Sequence, residues 1–294
     1  MSEFKTPLRY PGGKQRLTPF IKEILVANKI NGHYVEPYAG GAGVAIQLLL
    51  DNKVDHIHLN DSDFGIYSFW YSVLNKTEEL CSLISSASMT VEEWRFRQRV
   101  VKKCDKRKKL ELGFSVFYLN RVNRSGVLNA GIIGGLDQTG NYKMDARFSR
   151  NDLIRRIEAI ALFKDRITIT NFDAEFYIEN YIPNLPSNTL VYLDPPYYEK
   201  GRELYFNAYK KNDHERIAKV VQKEIKHKWV LSYDGVPDII KLYSKRRHFL
   251  YDLQYTAAKV YKGREVFVFC DRLKLPVQCS LKHIEAGMKN LVLV

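Results

Sequence analysis

Short apolar runs with the pattern of buried strands recur along this chain, and segments with a helical pattern separate them. The runs are His33–Glu36, His56–Asn60, 167–171, Thr189–Leu193, 228–233 and 265–270. Neighbouring parallel strands need a crossover connection, usually a helix, so this alternation favours a mostly parallel sheet. With 45% apolar residues the chain can build a sizeable core. We therefore predict an α/β fold with a doubly wound sheet, and helices near 17–28, 41–50 and 213–227 that pack on it.

One long segment interrupts the alternation. Residues 63–150 are mostly helical in pattern and become rich in Gly and Asn from Asn120 to Asn141. We interpret them as an insert between the second and third strands. The chain is accordingly divided into one domain formed by 1–64 and 151–294 and an inserted domain formed by 65–150.

The strand Thr189–Leu193 ends on the tetrapeptide Asp194-Pro195-Pro196-Tyr197. Each proline fixes its own φ and removes an amide donor, and Asp194 is pushed away from helical conformation because it precedes a proline. The corner is therefore stiff, and it brings a carboxylate and an aromatic ring into one small space. Ligands of open α/β sheets bind at the carboxyl ends of the strands. A planar substrate that carries an amino group would suit this corner.

Residues 34–43 comprise the end of the first predicted strand, a glycine-rich turn and the start of a helix. Bare backbone lets a ligand approach closely, and the amides at the start of a helix are ready donors. The turn lacks the last glycine of a GxGxxG motif and the Lys-Ser or Lys-Thr of a P-loop, so it indicates a nucleoside-containing ligand rather than a dinucleotide. Asp61, about twenty residues later, could accept hydrogen bonds from a ribose diol. It could equally cap the helix that begins near Phe64.

Two further segments would reach the same edge of the sheet. They are 9–14, with the sequence Arg-Tyr-Pro-Gly-Gly-Lys, and Asn171-Phe172-Asp173. Each is a weak signal alone, because the glycines of the first could form a simple turn and Tyr10 could fill the core. Because both would converge with Asp194 on one edge of the sheet, each becomes a stronger candidate for the site.

The composition favours an anionic partner. Lys and Arg number 46 against 33 Asp and Glu, which gives a formal net charge of +13 and points to nucleic acid. The densest run, 95–109, carries nine cations and one acid, Asp105. Such a run can be a solvated helix face. Phosphates would also accommodate cations placed so close together, with release of counterions.

The four cysteines form no CxxC pair, so they indicate neither a disulfide framework nor a zinc site. We expect them to be reduced and buried, and we expect no metal. The first residues contain no apolar stretch of signal-peptide length, and no segment approaches the roughly 18 apolar residues of a membrane span. The expectation is a cytoplasmic protein without a membrane partner.

Taken in this order, the motifs resemble those of the Dam-like DNA adenine methyltransferases, in the group whose cofactor motif precedes the catalytic one. The resemblance covers nearly the whole chain and is carried by Arg9 to Lys14, Glu36 to Gly43, Asn60-Asp61, Phe172-Asp173, Asp194 to Tyr198 and Lys200-Gly201. It implies the Rossmann-like fold of S-adenosylmethionine-dependent methyltransferases, with a seven-stranded, mostly parallel sheet. In that reading 1–64 and 151–294 form the catalytic, cofactor-binding domain, and 65–150 form a mostly helical target-recognition domain.

The resemblance also implies the reaction and its site. A methyl group would pass from S-adenosylmethionine to the exocyclic amino group of an adenine flipped out of double-stranded DNA. Asp61 would hold the cofactor ribose and Asp173 the amine of the cofactor adenine, while Gly41 would pass under the methionine part. The implied catalytic residues are Asp194, Pro195, Pro196 and Tyr197. The implied cofactor-binding residues are Tyr10, Lys14, Glu36, Pro37, Tyr38, Ala39, Gly40, Gly41, Asp61, Phe172, Asp173 and Asp194.

The exocyclic amine of adenine is a poor nucleophile, since its lone pair is delocalised into the ring. The Asp194 carboxylate and the Pro195 carbonyl could each accept one N–H and stabilise the positive charge that develops on the nitrogen. Tyr197 would stack on the flipped base, an interaction worth roughly 1–3 kcal/mol.

The target-recognition segment departs from the best-known members of the family. They carry Arg-x-Asn-x-x-Gly leading to Phe-Asn, whereas this chain keeps Arg121, Asn123 and Gly126 but has Leu128 in place of Phe. The familiar GATC target is therefore not implied. Arg suits guanine and Asn suits adenine in the major groove. The predicted DNA-binding residues are Arg121, Asn123, Arg124 and Ser125 near the bases, and Lys102 and Lys103 on phosphates.

Two alternatives stay open at this stage. Pro-Pro-Tyr corners also serve amine methylation of cytosine or of RNA, and a catalytically silent DNA-binding module could keep the same fold. For the main reading, the expected partners are double-stranded DNA and a cognate restriction enzyme, and the expected state is a monomer or a weak dimer.

Overall fold

The computed structural model describes residues 6–9, 14–198, 209–256 and 260–292, except the side chains of 253–256 and 260–262. In these ranges seven strands form one sheet. They are β1 His33–Glu36, β2 His56–Asn60, β3 Ile167–Thr170, β4 Thr189–Leu193, β5 Lys228–Asp234, β6 Arg247–Thr256 and β7 Val260–Phe269. The sheet order is β3-β2-β1-β4-β5-β7-β6. Strands β1 to β5 are mutually parallel, whereas β7 is antiparallel to both β5 and β6. The predicted seven-stranded, mostly parallel sheet is confirmed.

The helices of the described residues separate the strands as the alternation indicated. They are α1 Thr18–Asn28, α2 Gly43–Leu50, α3 Phe64–Asn75, α4 Thr77–Ser85, α5 Val91–Lys103, α6 Lys109–Val122, α7 Arg150–Ala161, α8 Ala174–Asn180, α9 Lys211–Glu224, α10 Pro237–Leu242 and α11 Lys282–Met288. The central strand β4 is buried at all five positions, as a strand covered on both faces must be. Helix α9 buries Ile217, Val220 and Val221, which confirms the helical spacing seen in the sequence.

Strand β6 was not predicted. Its Phe249 and Tyr251 are almost fully buried, while Asp252 is exposed. This partial period-two pattern is what an edge strand with one covered face leaves in a sequence. Its partner β7 begins at Val260, five residues before the predicted start.

Five α-helices of the described residues, α3 to α7, lie between β2 and β3; α3 to α6 occupy the segment 63–150 predicted for the insert, and α7 begins at its last residue. The α3 and α6 backbones approach so closely that a Cβ added at Gly113 would lie 2.5 Å from the Ser68 carbonyl oxygen. Beside this crossing the rings of Phe69 and Phe117 stack at 5.6 Å. Helix α6 therefore packs directly on α3, the helix that follows β2.

The first described residues are clamped to this helical segment. The Asn120 side chain accepts a hydrogen bond from the Arg9 amide at 2.7 Å and donates one to the Arg9 carbonyl at 2.6 Å. Gly126 has a φ of +75°, and a Cβ there would lie 2.3 Å from the same carbonyl oxygen. Only glycine fits this approach without strain. We call this contact the Arg9 clamp.

Three histidines line the β1–β2 pair. His33 and His56 are register partners, the His33 Nδ1 and His58 Nε2 atoms are 2.8 Å apart, and the His58 Nδ1 atom lies 3.2 Å from the Tyr181 hydroxyl. Burial, followed by the charges of His56 and His33, lowers the pKa of His58 to about 3. Among the described residues no group of three or more His, Cys, Asp or Glu side chains is arranged to hold a metal ion.

The prediction that all four cysteines are buried is wrong for two of them. Cys270 and Cys279 are buried, but Cys81 and Cys104 are half-buried, and all four are free thiols. Cys104 ends α5 in left-handed conformation, at a turn where less protein covers it. Over the ranges the structure describes, none of the helices is long and apolar enough to span a bilayer.

Candidate active site

Asp194 leaves the carboxyl end of β4 with a quarter of its side chain exposed. The Ser232 hydroxyl, on the neighbouring strand β5, donates a hydrogen bond to Asp194 Oδ1 at 2.9 Å. Ser232 in turn lies 2.7 Å from the Tyr192 hydroxyl. One carboxylate oxygen is thus fixed by a buried hydroxyl pair.

A buried ion pair lies beneath this carboxylate. Lys14 begins the first helical turn, and its Nζ atom donates to both oxygens of Glu265 at 2.6 Å. The same Nζ lies 3.5 Å from Asp194 Oδ1. Glu265, on β7, is fully buried and also accepts a hydrogen bond from the Tyr251 hydroxyl on β6. The two antiparallel strands therefore help to place Lys14 next to Asp194.

The electrostatics of these acids differ. Removal from solvent, together with the charge of Glu265, raises the pKa of Asp194 to about 6, although Lys14 acts in the opposite direction. Burial alone would also raise the pKa of Glu265, but the charge and hydrogen bonds of Lys14 outweigh it, and the pKa is lowered. Asp194 is therefore ionised at neutral pH but close to its titration range.

Tyr197, the residue predicted to stack on the flipped base, is 6% exposed. Its hydroxyl donates to Glu265 Oε1 at 2.6 Å and accepts from Lys14 at 3.0 Å. The next residue, Tyr198, donates its amide to Asp234 Oδ1 at 3.1 Å. The corner is thus fixed on the β5 and β7 side, and the Tyr197 ring belongs to the buried network.

The glycine-rich turn has the geometry of a close-approach site. Gly40 and Ala42 have φ values of +45° and +46°, and the Glu36 carboxylate accepts the Ala45 amide at the start of α2 at 3.1 Å. Burial raises the pKa of Glu36 to about 8. Trp70 donates its ring N–H to the Gly40 carbonyl at 2.9 Å, which anchors the turn to α3.

Asp61 follows β2 and lies next to this turn. Its two oxygens accept the amides of Gly40 at 2.8 Å and Asp63 at 2.9 Å. Burial and the charge of Asp63 raise its pKa to about 7. The alternative reading of Asp61 as a helix cap is wrong, because the α3 cap is Asp63, whose side chain accepts from Gly65 and Ile66. Asp61 instead lines a shallow depression with Ala39, Leu59, Tyr67, Trp70, Ile169 and Thr170.

Phe172 and Asp173 follow β3 at the same edge. Asp173 is exposed and caps α8 by accepting the Glu175 amide at 2.9 Å. Phe172 and Phe176 are 40% and 49% exposed, with ring centroids 5.1 Å apart. Both backbone groups of Phe172 bond to the Asn60 side chain. An exposed aromatic pair of this kind could stack on a nucleobase.

The arrangement fits a cationic nucleoside cofactor. In a chain with a net charge of +13, the carboxyl edge of the sheet nevertheless collects acids. They are Glu36, Asp61, Asp173, Asp194 and Asp234. Acids suit a sulfonium ion and a ribose diol, and the aromatic pair suits an adenine. Of the other predicted cofactor residues, Lys14, Pro37, Tyr38, Ala39 and Gly41 lie along this edge, whereas Tyr10 falls outside the described residues. Lys200-Gly201, which contribute to the family resemblance, also fall outside them.

The predicted DNA-binding residues do not share one environment. Asn123 is fully buried; it accepts the Trp94 ring N–H and donates to the carbonyls of Val127 and Leu128. In this structure its amide holds the loop together, and a base contact would require that network to open. Arg121 is only 9% exposed. Arg124 is exposed, and Ser125 is half-buried with a φ of +56°.

The basic run 95–109 divides into two sets. Arg97 lies over the Phe114 ring at 4.6 Å, and Lys109 lies over the Tyr71 ring at 4.4 Å, so these two cations pack within the protein. The others are exposed, namely Arg95, Arg99, Lys102, Lys103, Lys106, Arg107 and Lys108. Lys102 and Lys103, the last two residues of α5, belong to this exposed set.

Sequence reasoning missed Glu265, Tyr251, Ser232 and Asp234, which hold the corner in place. Glu265 carried a signal, since it is a lone acid at the head of the apolar run Val266–Phe269, and a buried acid in a strand requires a partner. The partner, Lys14, lies 251 positions away along the chain. Tyr251 was missed because strand β6 was.

Comparison with known proteins gives matches over most of the chain. A model of the D12 class N6 adenine-specific DNA methyltransferases matches residues 10–271. The type II methyltransferase M.MjaIII of Methanocaldococcus jannaschii is 23% identical over 243 residues, 75% of this chain and 80% of that protein. The type II methyltransferase M.CviBI of Paramecium bursaria Chlorella virus NC1A is 23% identical over 233 residues, 79% of this chain and 84% of that protein.

Among solved structures, the rRNA methyltransferase aviRa of Streptomyces viridochromogenes matches with 12% identity and a TM-score of 0.37. The match covers 88% of this chain and 86% of that one, and a similarity this low supports no argument about function.

Proposed function

Because this chain belongs to the D12 class N6 adenine-specific DNA methyltransferases, we propose that it methylates the exocyclic amino group of a flipped-out adenine in double-stranded DNA, with S-adenosylmethionine as the donor. The observation that carries the proposal is the Asp194 carboxylate, one quarter exposed at the end of β4 and fixed by Ser232 and Lys14. It lies on the acidic edge of the sheet that suits the cofactor. Within this proposal, 65–150 form the target-recognition domain.

The cofactor supplies an electrophilic methyl group when bound. Each Asp61 oxygen keeps a lone pair after its hydrogen bond from a main-chain amide, and these lone pairs would accept hydrogen bonds from the ribose diol. Asp173 would accept a hydrogen bond from the amine of the cofactor adenine. Phe172 and Phe176 would stack on that ring. Gly40 and Gly41, which carry no side chain, would let the ligand lie against the turn.

The Asp194 carboxylate and the Pro195 carbonyl would each accept a hydrogen bond from one N–H of the target amine. These bonds draw the nitrogen toward a pyramidal shape and stabilise the positive charge that develops during transfer. Ser232 and Lys14 keep the carboxylate in one orientation, so positioning supplies much of the rate. The surplus proton leaves to Asp194 or to water.

Tyr197 would stack on the flipped base, as the sequence predicted. Its hydroxyl bonds to Glu265 and Lys14 set the angle of the ring, and the ring must open from its present 6% exposure. The network would then couple base stacking to the carboxylate that binds the amine.

Replacement of the carboxylate tests the function. Asp194→Ala should abolish transfer of tritiated methyl groups to DNA while cofactor binding stays mostly intact, because the acceptor is lost and the ribose site is not. Asp165→Ala, an exposed acid before β3, is the matched control and should keep the native rate. Near-native turnover by Asp194→Ala would refute the assignment. Nucleoside analysis of the product distinguishes methyladenine from methylcytosine. An assay with RNA as the substrate tests the alternative of RNA methylation.

Target choice is tested by a second pair of variants. Arg124 is exposed beside the recognition loop, so Arg124→Ala should relax the methylated sequence, whereas Lys102→Ala should weaken DNA binding equally for all sequences. Methylation-sensitive sequencing in a host without adenine methylation reads the first effect, and a salt titration reads the second. If the Arg124→Ala enzyme methylated the same sequence at the same rate, Arg124 would not be part of the recognition site. The type II names of both relatives make a cognate restriction enzyme a candidate partner.

A further inference from the structure

A glutamate on β7 holds the lysine that faces the Asp194 carboxylate. Glu265 is fully buried, and β7 is paired on both sides, with β5 and with β6. Its Oε1 atom accepts hydrogen bonds from Lys14 and from the Tyr197 hydroxyl, and its Oε2 atom accepts from Lys14 and from the Tyr251 hydroxyl. Because both oxygens are bonded in this way, the Glu265 carboxylate has one orientation, and the Lys14 ammonium is fixed with it.

Lys14 lies at different distances from its two acids. Its Nζ atom is 2.6 Å from each oxygen of Glu265 but 3.5 Å from Asp194 Oδ1. The second distance exceeds the roughly 2.7–2.9 Å of a charge-assisted hydrogen bond. Lys14 therefore acts on Asp194 mainly through its charge, and it leaves acceptor capacity on that oxygen for a substrate N–H.

Other titratable groups surround Asp194 in the described part of the chain. The tyrosines among them are Tyr34 on β1, Tyr192 on β4, Tyr233 on β5 and Tyr251 on β6. Burial raises the pKa of all four, and it raises the pKa of Glu36 on β1 to about 8. Asp234, at the end of β5, accepts a main-chain amide. Burial raises the pKa of Asp194 itself; next in strength the Lys14 cation lowers it, and the Glu265 anion raises it.

We propose that Glu265 is a positioning residue for methyl transfer. It holds the Lys14 ammonium near enough to Asp194 to keep that carboxylate ionised, and far enough away to leave its oxygen open to the target amine. The proposal rests on the proposed function, since it concerns the acceptor for that amine. Glu265 also bonds to Tyr197, whose ring would stack on the base. One buried acid thus orients both parts of the corner, as a preorganised site requires.

Two substitutions with opposite effects test the pair. The measurement is single-turnover methyl transfer between pH 5 and 8 at saturating S-adenosylmethionine, and the acid limb is the pH range in which the rate falls. Glu265→Gln frees Lys14 to close on Asp194, so the limb should move to lower pH. The plateau should fall as well, because Lys14 then competes with the target amine. Lys14→Met removes the cation, so the limb should move to higher pH, by about 1 pH unit or more.

Asp252→Asn is the matched control. Asp252 neighbours Tyr251 on β6, but it is exposed and lies 3.6 Å from Arg264 across the strand pair. Its replacement should leave the limb and the plateau at their native values. The proposal would be overturned if Glu265→Gln and Lys14→Met moved the limb in the same direction, or if Glu265→Gln kept the native limb and plateau.

Each single substitution leaves one buried charge without its partner, which can prevent folding. Thermal unfolding identifies such a variant. The double variant, Lys14→Met with Glu265→Gln, is neutral at both positions and then provides the test. Its limb should lie above the native limb, because Lys14 acts on Asp194 more strongly than Glu265 does. A limb at or below the native pH would also overturn the proposal.

The carboxyl carbon-13 signal of Asp194 distinguishes this proposal from the proposed function. The signal is assigned by its absence from Asp194→Asn and is followed without DNA. It should titrate at about pH 6 in native protein, at lower pH in Glu265→Gln and at higher pH in Lys14→Met. If native protein methylates DNA but the three midpoints coincide, the role of Glu265 alone fails. If native protein transfers no methyl group to DNA, the proposed function fails, and the positioning role with it, even where the midpoints keep this order.

Discussion

At the scale of single residues, Asp194 shows how a site can be predicted while its setting is not. The stiff Asp-Pro-Pro-Tyr corner and its position after a buried strand follow from local rules for proline and for apolar runs. The partners that orient the carboxylate, Ser232 and the Lys14–Glu265 pair, come from distant parts of the chain. No local pattern specifies contacts of that range.

The raised pKa of Asp194 predicts how the rate depends on pH. A carboxyl group with a pKa of about 6 loses its negative charge as the pH falls below 6, and the protonated group is a weaker acceptor that no longer stabilises the positive charge on the amine. At saturating cofactor, kcat should be level near neutral pH and fall about tenfold per pH unit well below pH 6. Single-turnover methyl transfer measured from pH 5 to 8 checks this. A rate that stays level down to pH 5 would contradict it.

Asn123 and Tyr197 show the opposite case. Their residue types suggested contacts with nucleic acid, but the sequence did not indicate that both side chains are buried. Both are polar residues of kinds that contact nucleic acid, and both are buried in hydrogen-bond networks here. Burial depends on what packs above a residue, such as Trp94 over Asn123. That packing is set by helices far apart in the sequence.

At the scale of elements, six of seven strands were predicted because each contains a short run rich in apolar and β-branched residues between helical segments. Strand β6 is an edge strand, and only one of its faces is covered. A run of mixed apolar and charged residues such as Arg247–Thr256 can equally be a helix or a loop. The antiparallel pair β6 and β7 was therefore predicted as one strand. Because β6 was not predicted, the hydrogen bond from its Tyr251 to Glu265 could not be predicted either.

The β1–β2 histidines predict acid sensitivity. Unfolded His58 has a pKa near the ordinary 6.5 and folded His58 one of about 3, so below pH 6.5 the unfolded chain binds a proton that the folded chain does not. Stability is fully present above pH 6.5 and is lost as pH falls toward 3, by up to about 1.4 kcal/mol per pH unit. Urea unfolding at pH 8, 6 and 5 measures this loss.

The comparison that isolates the cluster uses two substitutions. His58→Gln should show a smaller loss of stability between pH 8 and 5 than native protein, since it removes the depressed group. His227→Gln, which lies outside the cluster, should keep the native pH dependence. If His58→Gln and native protein lost the same stability between pH 8 and 5, protonation of His58 would not be the cause of that loss.

At the scale of the whole molecule, charge is segregated. Acids line the carboxyl edge of the sheet, while the exposed cations of α5 lie on the helical segment between β2 and β3. Net charge alone predicted an anionic partner. It could not predict that Arg97 and Lys109 pack on aromatic rings, because that depends on how α3, α5 and α6 cross.

The Arg9 clamp predicts a distinct effect of one glycine. Gly126 and Gly135 both have positive φ, +75° and +78°, but a Cβ would meet the Arg9 carbonyl at 2.3 Å only at Gly126, and nothing within 4 Å at Gly135. Gly135→Ala should therefore cost about 1 kcal/mol, from backbone strain alone. Gly126→Ala should cost clearly more, because the added Cβ also displaces the Arg9 main chain. Equal Tm values for the two variants would contradict the clamp.

The same clamp bears on how target choice can be inherited. A recognition segment transferred between relatives, by recombination or by engineering, would arrive with Asn120 and Gly126 but without the stretch that they grip. Specificity would then behave as a trait encoded in two separate pieces of the gene, one for the Arg9 segment and one for the recognition segment. Hybrids that exchange both pieces should keep their activity, whereas those that exchange only the recognition segment should lose it.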